Sequence, residues 1–496
     1  MSTTKLRVAV IGAGPAGVYA ADLLTKSEPV ISGAVTLSID LFDRYPAPYG
    51  LIRYGVAPDH PRIKGIVTAL HKVLDRGDIR FFGNVDYGTD LSLTDLRRHY
   101  DAIIFATGAS KGADLNIPGV ELEGSFGGAD FVSWYDGHPD VPREWPLHAA
   151  EVAVIGNGNV ALDVARVLSK HADDLLVTEI PDNVYLALKD SAVTDVHVFG
   201  RRGPAQVKFT PLELRELAHA KDVDIVLYPE DFEFDAASDE AIRTNNQTRT
   251  MVSTLTNWLA EEDDDDAKGP AATRPGAPRR LHLHFLHNPV EILRGVGADS
   301  GWVAGIRFER TELDGTGNAR GTGAFVDYPV QAVYRSVGYF GSALPELEFD
   351  HQRGVIPNDG GRVLGADGTP VQGLYATGWI KRGPVGLIGH TKGDALETIT
   401  GLLEDLDQRA AVVAHGALDA PRPGEVDRTE APDTVVELLG GRGVAYTTWQ
   451  GWLELDAHEL SLGAAATAAG PVGRERVKVV PRESMVAISS GTVVEV

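Results

Sequence analysis

The stretch VAVIGAGPAG at residues 8–17 decides the fold class, because it joins a short apolar, β-branched run to a glycine-rich turn. An alanine- and leucine-rich helical pattern follows, up to Leu24. In such a strand–turn–helix unit the first glycine permits a tight turn, the second lets the backbone approach a pyrophosphate, and the third small residue allows close packing. The free N–H groups at the helix start attract the anion. We therefore expect a dinucleotide to contact Gly12, Gly14, Ala16 and Gly17.

The same pattern occurs again as VAVIGNGNVA at residues 152–161, once more followed by a helical stretch rich in alanine and leucine. One glycine fingerprint is weak support, since a purely structural turn can have this composition, but two copies in full strand–turn–helix context are much stronger. The sequence therefore predicts an α/β protein with two Rossmann-like dinucleotide-binding domains. In the second turn the candidate contacts that the fingerprint indicates are Gly156 and Gly158.

Two further runs are typical of buried strands that end in a small-residue turn, DAIIFATG at 101–108 and QAVYRSVG at 331–338. They flank the second fingerprint, as expected if one dinucleotide domain is inserted into the other. The predicted inserted domain covers residues 111–340. The outer domain covers 1–110 and 341–496, and it ends in a C-terminal extension.

The residues after each fingerprint distinguish the two dinucleotides. An acid, Asp43, ends the strand that follows the first turn and is suited to accept hydrogen bonds from an adenosine ribose, although its spacing from Gly12 exceeds the usual ~20 residues. The strand after the second turn leads instead into Arg201 and Arg202. Paired guanidinium groups fit a 2′-phosphate, which favours NADP over NAD. The alternative is an exposed basic turn without a ligand.

A third cofactor segment is TPVQGLYATGW at residues 369–379. It matches the second FAD motif of flavoproteins with two dinucleotide domains at every place but the last, where Trp379 replaces the usual Asp. The GPVG sequence at 383–386 can open a helix whose N–H groups point at an electron-rich flavin edge.

The amino-acid composition limits the redox and metal chemistry that this chain can perform. The 496 residues are 43% apolar and include no cysteine, which excludes disulfides, thiolate zinc sites, cysteine-ligated iron–sulfur clusters and a redox-active C-x-x-C pair. If this chain transfers electrons, a bound organic cofactor has to carry them; we expect no metal site. The net charge of −24 disfavours nucleic acid as a partner. Part of this charge comes from the acidic run at 261–266, which is typical of a solvated loop.

The location of the protein is predicted from its first residues and its hydropathy. No stretch approaches the ~18 to 20 uninterrupted apolar residues of a membrane helix. A strand-like run begins by Leu6, which leaves no room for the regions of a secretory signal. We therefore expect a cytoplasmic protein.

Several segments together resemble the adrenodoxin reductase type of ferredoxin–NADP reductase, and the likeness covers nearly the whole chain. The Trp in place of Asp at the third cofactor segment is itself a mark of this family. One departure is Gly389-His390-Thr391, where the family more often has Gly-Thr-Asn, and which puts details of nicotinamide docking in question. The carrying segments are YGVAPDHP (54–61), FVSWY (131–135), GNGNVALD (156–163), GRRGP (200–204), GWIKRGP (378–384) and TWQGW (448–452).

The resemblance implies FAD in the first domain and NADPH in the second. It implies hydride transfer between NADPH and FAD N5, and single-electron transfer between reduced FAD and a small ferredoxin-type iron–sulfur protein, an activity of class EC 1.18.1. The NADP contacts that it implies are those of the second glycine turn and three charged residues: Gly156, Asn157, Gly158, Asn159 and Val160, with Arg201, Arg202 and Glu213. The expected FAD contacts are Gly12, Gly14, Ala16, Gly17, Asp43, Gly50, Leu51, Thr107, Gly108, Gly378, Trp379, Gly386, Leu387 and Ile388.

The resemblance also implies that His60 and Glu213 lie near the flavin and nicotinamide, where we expect them to serve catalysis. From residue chemistry alone, His60 between Asp59 and Pro61 is more often a surface or packing histidine. Glu213 falls in the first turn of a helix that has a proline at an early position, and an acid there commonly just complements the helix dipole. Neither residue has to transfer a proton, because hydride transfer relies mainly on cofactor positioning.

Two other functions remain open. A flavin monooxygenase also carries two fingerprints, but its F-x-G-x3-H-x3-W signature, aligned at Phe126, has Val132 and Asp136 in the His and Trp places. A non-catalytic NADPH-binding sensor is the second alternative.

Docking of an acidic ferredoxin would need a local basic patch on this acidic chain, which we expect to act as a monomer. The alternative is that these arginines and lysines are ordinary surface charge. The candidates are Arg243 and Arg249, with Lys72, Arg76 and Arg80.

Overall fold

The computed structural model describes residues 4–262, 279–385, 388–414, 434–470 and 472–491. The chain divides into two compact units. Unit 1 comprises Met1–Lys111, Gly137–Asp140 and Tyr339–Val496, and unit 2 comprises Gly112–Asp136 and Val141–Gly338. The short segment Gly137–Asp140 belongs to unit 1, although the sequence placed it within 111–340.

The strands, in chain order, are β1 (Thr4–Ile11), β2 (Val35–Asp43), β3 (Ile79–Gly83), β4 (Ala102–Phe105), β5 (Lys111–Gly112), β6 (Ser125–Gly127), β7 (Glu151–Ile155), β8 (Asp195–Phe199), β9 (Val223–Leu227), β10 (Arg279–His284), β11 (His287–Arg294), β12 (Val303–Leu313), β13 (Ala319–Tyr328), β14 (Ala332–Arg335), β15 (Tyr339–Phe340), β16 (Asn358–Asp359), β17 (Arg362–Leu364) and β18 (Pro370–Ala376).

The helices are α1 (Pro15–Thr25), α2 (Glu28–Ile31), α3 (Leu51–Tyr54), α4 (Pro61–Lys64), α5 (Val67–Leu74), α6 (Leu93–His99), α7 (Gly128–Tyr135), α8 (Asn159–Ser169), α9 (Ala172–Leu175), α10 (Asp182–Lys189), α11 (Pro211–Ala218), α12 (Ala236–Thr244), α13 (Asn246–Glu262), α14 (Trp379–Arg382), α15 (Ile388–Ala414), α16 (Thr434–Gly441), α17 (Trp449–Ala469) and α18 (Arg482–Ser489).

Unit 1 is built on a seven-stranded sheet in the order β16-β17-β18-β4-β1-β2-β3. The five strands from β18 to β3 are parallel, and β16 and β17 form an antiparallel edge. Because successive side chains of a strand point to opposite faces, Val8 and Val10 join the apolar cluster on one face while Ala9 and Ile11 join the cluster on the other. Burial on both faces explains why the first strand is an unbroken apolar run.

The C-terminal extension packs on this core. Trp452 and Leu455 of α17, together with Met485 and Ile488 of α18, lie in the same apolar cluster as Val8. The extension is therefore an integral part of unit 1 and not a separate appendage.

Unit 2 contains a six-stranded, fully parallel sheet in the order β6-β14-β7-β8-β10-β9. A three-stranded antiparallel sheet, β11-β12-β13, belongs to the same unit, and Phe308 of β12 stacks on Phe199 of β8. The α/β class and the two Rossmann-like parallel sheets confirm the predicted fold class. Among the described residues, none of the helices combines the length and the apolar character that crossing a membrane would require.

Candidate dinucleotide sites

The first glycine turn joins β1 to α1 in unit 1. Gly12 has φ +112°, and a side chain there would collide with the Ala106 carbonyl that follows β4, so only glycine fits. Helix α1 begins at Pro15 with Gly14 as its N-cap, and its first turn carries neither a capping side chain nor an acid. The first N–H groups and the positive end of the helix dipole are therefore suited to an anion.

Asp43 holds this turn in place from the end of β2. Its Oδ2 accepts the Ala13 N–H at 2.7 Å, and its Oδ1 accepts the Tyr45 N–H at 2.9 Å. The side chain is buried, and burial raises its pKa to about 6 against the opposing effect of the two N–H donors. Each carboxylate oxygen can accept a second hydrogen bond, so the predicted contact with a ribose stays open beside this structural role.

Two other segments close around the same turn. Gly50, with φ +51°, brings its backbone so near that a Cβ there would lie 3.1 Å from the Gly14 Cα, and α3 begins at the next residue, Leu51. Thr107 and Gly108 directly follow Ala106, whose carbonyl lies against Gly12. The structure thus brings together the predicted residues of the first turn with Gly50, Leu51, Thr107 and Gly108.

The third cofactor segment reaches the start of α1 as well. Gly378 has φ +74°, and a Cβ there would lie 2.6 Å from the Ala16 Cβ. The Thr377 N–H donates to the Phe105 carbonyl at 2.9 Å, which ties the segment to the end of β4. Trp379 is half-buried, and its ring lies 6.3 Å from that of Tyr339.

Sequence reasoning missed the carboxylate that supports this segment. Asp394 of α15 is buried and accepts hydrogen bonds from the Gly378 N–H and, at 3.1 Å, from the Thr377 hydroxyl. The buried ammonium of Lys381 lies 3.0 Å from its Oδ1, and Arg382 pairs with the same oxygen. The signal in the sequence was Trp379 itself. It stands where the motif has an Asp, which indicates that a carboxylate from another segment takes over.

Three predicted residues of this segment are described incompletely or not at all. Gly386 and Leu387 lie outside the described residues, and Ile388 is described only as the first backbone position of α15. His390, the departure from the family pattern, is exposed in the first turns of the same helix.

His60 lies in unit 1 as the N-cap residue of α4 and is only 2% exposed. Its N–H donates to the Ala57 carbonyl at 3.1 Å, which fixes the backbone of the turn that carries it. The surface position that residue chemistry favours is therefore wrong, while a packing role and a site role both remain compatible with this burial.

The second glycine turn joins β7 to α8 in unit 2 and repeats the geometry of the first. Gly156 has φ +140°, and a side chain there would collide with the Ser336 carbonyl that follows β14. Its N–H donates to the Phe199 carbonyl at 3.0 Å. Helix α8 has Gly158 as its N-cap and again no capping side chain or acid in the first turn. This helix start, which includes the half-buried Val160, is thus a second candidate anion site.

The two asparagines of this turn connect it to the segment before α11. The Asn157 carbonyl accepts the N–H groups of Lys208 and Phe209 at 2.9 and 3.2 Å. The Asn159 Oδ1 accepts the N–H of Thr210, the N-cap of α11, at 3.0 Å. Glu213 occupies the first turn of that helix and is 3% exposed. The structure therefore links Glu213 to the second glycine turn.

The predicted arginine pair follows β8, the neighbour of β7. The backbone is fixed by hydrogen bonds from the Thr311 hydroxyl to the Arg201 carbonyl at 2.8 Å and from the Leu286 N–H to the Arg202 carbonyl. The Arg201 side chain is exposed, and within the described ranges its guanidinium forms no hydrogen bond or ion pair. Arg202 is half-buried and donates weakly to the Gln206 carbonyl. Arg201 thus retains its hydrogen-bonding capacity for a ligand.

Some of the predicted docking residues already form ion pairs with neighbouring carboxylates, and others do not. Arg76 pairs with Asp22 and Asp78, and Arg80 pairs with Asp40. Arg243 pairs with Glu240, and Arg249 donates to Asn246 and to two carbonyls. These two arginines, Arg76 and Lys72 on α5 are exposed.

Comparisons with known proteins agree with this architecture. A family model described as pyridine nucleotide-disulphide oxidoreductase matches residues 6–198. The NADPH-ferredoxin reductase FprA of Mycobacterium tuberculosis is 38% identical over 490 residues, which span 98% of this chain and 99% of the relative. The mitochondrial NADPH:adrenodoxin oxidoreductase of Bos taurus is 36% identical over 484 residues, spanning 97% and 91%. A solved structure of Mycobacterium tuberculosis FprA in complex with NADPH matches with a TM-score of 0.82 at 36% identity, covering 98% of this chain and 100% of that one.

Proposed function

We propose, since the chain belongs to the family of NADPH-ferredoxin reductases and NADPH:adrenodoxin oxidoreductases, that it is a ferredoxin–NADP reductase, which transfers electrons between NADPH and a ferredoxin-type iron–sulfur protein through bound FAD. The observation that carries the proposal is the pair of glycine turns in two separate parallel sheets, each followed by a helix with an uncapped, acid-free first turn. Two dinucleotides can therefore be bound by one chain.

Unit 1 is the proposed FAD domain. The cradle at Gly12, which a Cβ would fill, and the acid-free start of α1 fit a pyrophosphate, and the Gly378–Trp379 turn lies against the same helix start. Bound FAD would accept a hydride and release its two electrons one at a time. The chain's own residues hold the cofactor: Asp43 fixes the turn and Asp394 fixes the segment that carries Trp379.

Unit 2 is the proposed NADPH domain. The start of α8 would receive the pyrophosphate, and Arg201 with Arg202 would bind the 2′-phosphate as fixed positive charges. The exposed Arg201 guanidinium, with no partner among the described residues, supports this assignment.

His60 and Glu213 are proposed as site residues that orient the reacting rings. Both are buried ionisable side chains at helix starts, one in each unit. Their proposed contribution is to position the cofactors and to exclude water, because hydride transfer depends chiefly on the alignment of donor and acceptor.

The proposed partner is an acidic ferredoxin. A chain without cysteine cannot ligate an iron–sulfur cluster through thiolates, so the one-electron centre belongs to another protein. Arg243, Arg249, Lys72 and Arg76 are the proposed docking cations; of these, Arg76 and Arg243 already form ion pairs with neighbouring acids. We also propose that the protein acts as a monomer in the cytoplasm.

The experiment that tests the function is steady-state reduction of cytochrome c by NADPH. We expect reduction to depend on added ferredoxin and on FAD in the purified protein, with NADPH strongly preferred over NADH. A colourless protein without bound flavin would favour the sensor alternative. Reduction that is unaffected by ferredoxin would refute the proposed partner.

A further inference from the structure

Three histidines of unit 2 lie together on two neighbouring strands, β8 and β10. Strand β8 pairs with β10 in a register that sets His197 opposite His282 and Phe199 opposite His284. Because side chains two residues apart share a face of a strand, all three imidazoles project from the same face of the sheet. The rings of His197 and His282 stack at 4.2 Å between centroids, and the His197 Nδ1 lies 3.1 Å from the His284 Nε2.

We propose that His197, His282 and His284 form a binding site for a divalent transition-metal ion of the Zn²⁺ class. One ring nitrogen from each residue lies within 4.8 Å of those of the other two. Zinc with imidazole ligands at about 2.1 Å holds neighbouring tetrahedral nitrogens about 3.4 Å apart. The 3.1 Å separation of His197 and His284 is already near that spacing, and the His282 ring has to rotate out of its stack on His197 to direct its Nδ1 at the same ion.

The side chains around the triad are those that orient metal-binding histidines in proteins. Asp195 Oδ1 lies 2.9 Å from the His282 Nε2 and also forms an ion pair with the Arg280 guanidinium at 2.6 Å. The ionised carboxylate can only accept, so the His282 Nε2 carries the proton and its Nδ1 keeps a lone pair. A carboxylate behind an imidazole is a common second partner of a metal-binding histidine.

Tyr228 lies beside His282. Its hydroxyl lies 2.9 Å from the His282 Nδ1 and can rotate away or stay beside an incoming ion.

The chemistry of the ligands selects the ion. Three imidazoles without thiolates suit Zn²⁺, Co²⁺, Ni²⁺ or Cu²⁺ better than Mg²⁺ or Ca²⁺, which prefer oxygen ligands. Asp195 and, at 4.0 Å from the His197 Nε2, Glu151 supply negative charge at the rim. A bound ion would link strand β8 to strand β10 through its histidine ligands. The inference does not depend on the proposed function.

The test is equilibrium dialysis of the chelator-treated, FAD-containing protein against micromolar Zn²⁺, with metal counted per chain. We expect one zinc per chain in the wild type. Replacing one ligand should weaken binding by at least about tenfold, so His197→Ala and His282→Gln should lose the ion. His148→Ala removes an exposed histidine of the same unit and should retain it.

Two further readouts keep the proposal falsifiable if a variant folds poorly. Co²⁺ bound to the wild type should give the visible absorption of a tetrahedral nitrogen site, and Zn²⁺ should raise the thermal unfolding temperature of the wild type but not of a folded ligand variant. Wild-type protein that binds no zinc would overturn the proposal. Zinc binding that is equal in the wild type and a folded His197→Ala, His282→Gln double variant would overturn it as well.

Discussion

The side-chain oxygen of Asn159 accepts the backbone N–H of Thr210 at 3.0 Å. Together with the hydrogen bonds from the Lys208 and Phe209 N–H groups to the Asn157 carbonyl, this bond links the glycine turn after β7 to the start of α11, the helix that carries Glu213. Two segments about fifty residues apart in sequence are thereby held in one arrangement, on which the proposed NADPH site depends.

We predict that Asn159→Ala lowers the free energy of unfolding by about 1 kcal/mol, because the Thr210 N–H loses its acceptor. It should also raise the KM for NADPH several-fold.

Asn159→Asp is the matched variant. It keeps an acceptor oxygen, so the free energy of unfolding should be retained. Its negative charge near the proposed pyrophosphate should, however, raise the KM for NADPH more than alanine does. Thermal unfolding and steady-state kinetics measure both effects. Two variants with unchanged stability and KM would contradict the linking role.

Arg201→Ala should reduce the preference for NADPH over NADH by about ten- to a hundredfold, since a charge-assisted hydrogen bond to phosphate contributes about 1.5–3 kcal/mol. Arg202→Ala should have a smaller effect, because that side chain is half-buried and turned toward the Gln206 carbonyl. The measurement is the ratio of kcat/KM for the two nucleotides. Arg320→Ala, an exposed arginine of the same unit, is the control. An unchanged ratio in the Arg201, Arg202 double variant would show that the 2′-phosphate binds elsewhere.

The buried ion pair of Arg53 and Glu459 predicts a large effect on the stability of unit 1, the proposed FAD domain. Two hydrogen bonds, of 3.1 and 2.5 Å, join α17 to α3, the helix that begins at Leu51. Glu459→Ala leaves the buried guanidinium without its main partner and should cost about 3–5 kcal/mol. We expect a lower unfolding temperature and earlier release of flavin fluorescence on heating. Glu454→Ala, on the exposed face of α17, is the control. Equal flavin-release temperatures in the two variants would refute a role for the pair in holding the proposed FAD domain together.

Reversal of charge at the proposed docking residues tests the partner surface. Arg243→Glu with Arg249→Glu should slow ferredoxin-dependent cytochrome reduction, most strongly at low salt, because charge complementarity chiefly governs the association rate. NADPH-to-ferricyanide activity, which needs no docking, should be spared. The matched control is Arg294→Glu with Arg320→Glu, two exposed arginines on β11 and β13. Similar ferredoxin-dependent rates in both double variants would exclude Arg243 and Arg249 from the docking surface.

The sequence predicted those features that short segments determine. At Gly12 and Gly156 the required positive φ and the lack of space for a Cβ follow from the strand–turn–helix pattern, and both turns occur as expected. The burial of His60 was not visible in its sequence neighbours, because burial depends on what packs against a residue.

Long-range partners could not be predicted for the same reason. Arg53 and Glu459 are 406 residues apart, and Asp394 reaches Gly378 only through the docking of α15. The histidine triad was missed because His197 is far along the chain from His282 and His284. The H-x-H spacing of 282–284 on a strand was the one local signal of a shared face.

The central claim is that one chain takes a hydride from NADPH and passes single electrons to ferredoxin. Anaerobic titration of the FAD-containing protein with NADPH, followed by stopped-flow mixing with oxidised ferredoxin, tests it most directly. We predict that one equivalent of NADPH bleaches the flavin absorbance, and that mixing restores this absorbance as two ferredoxins are reduced. A flavin that NADPH leaves oxidised, or a reduced flavin that ferredoxin does not reoxidise, would contradict the account.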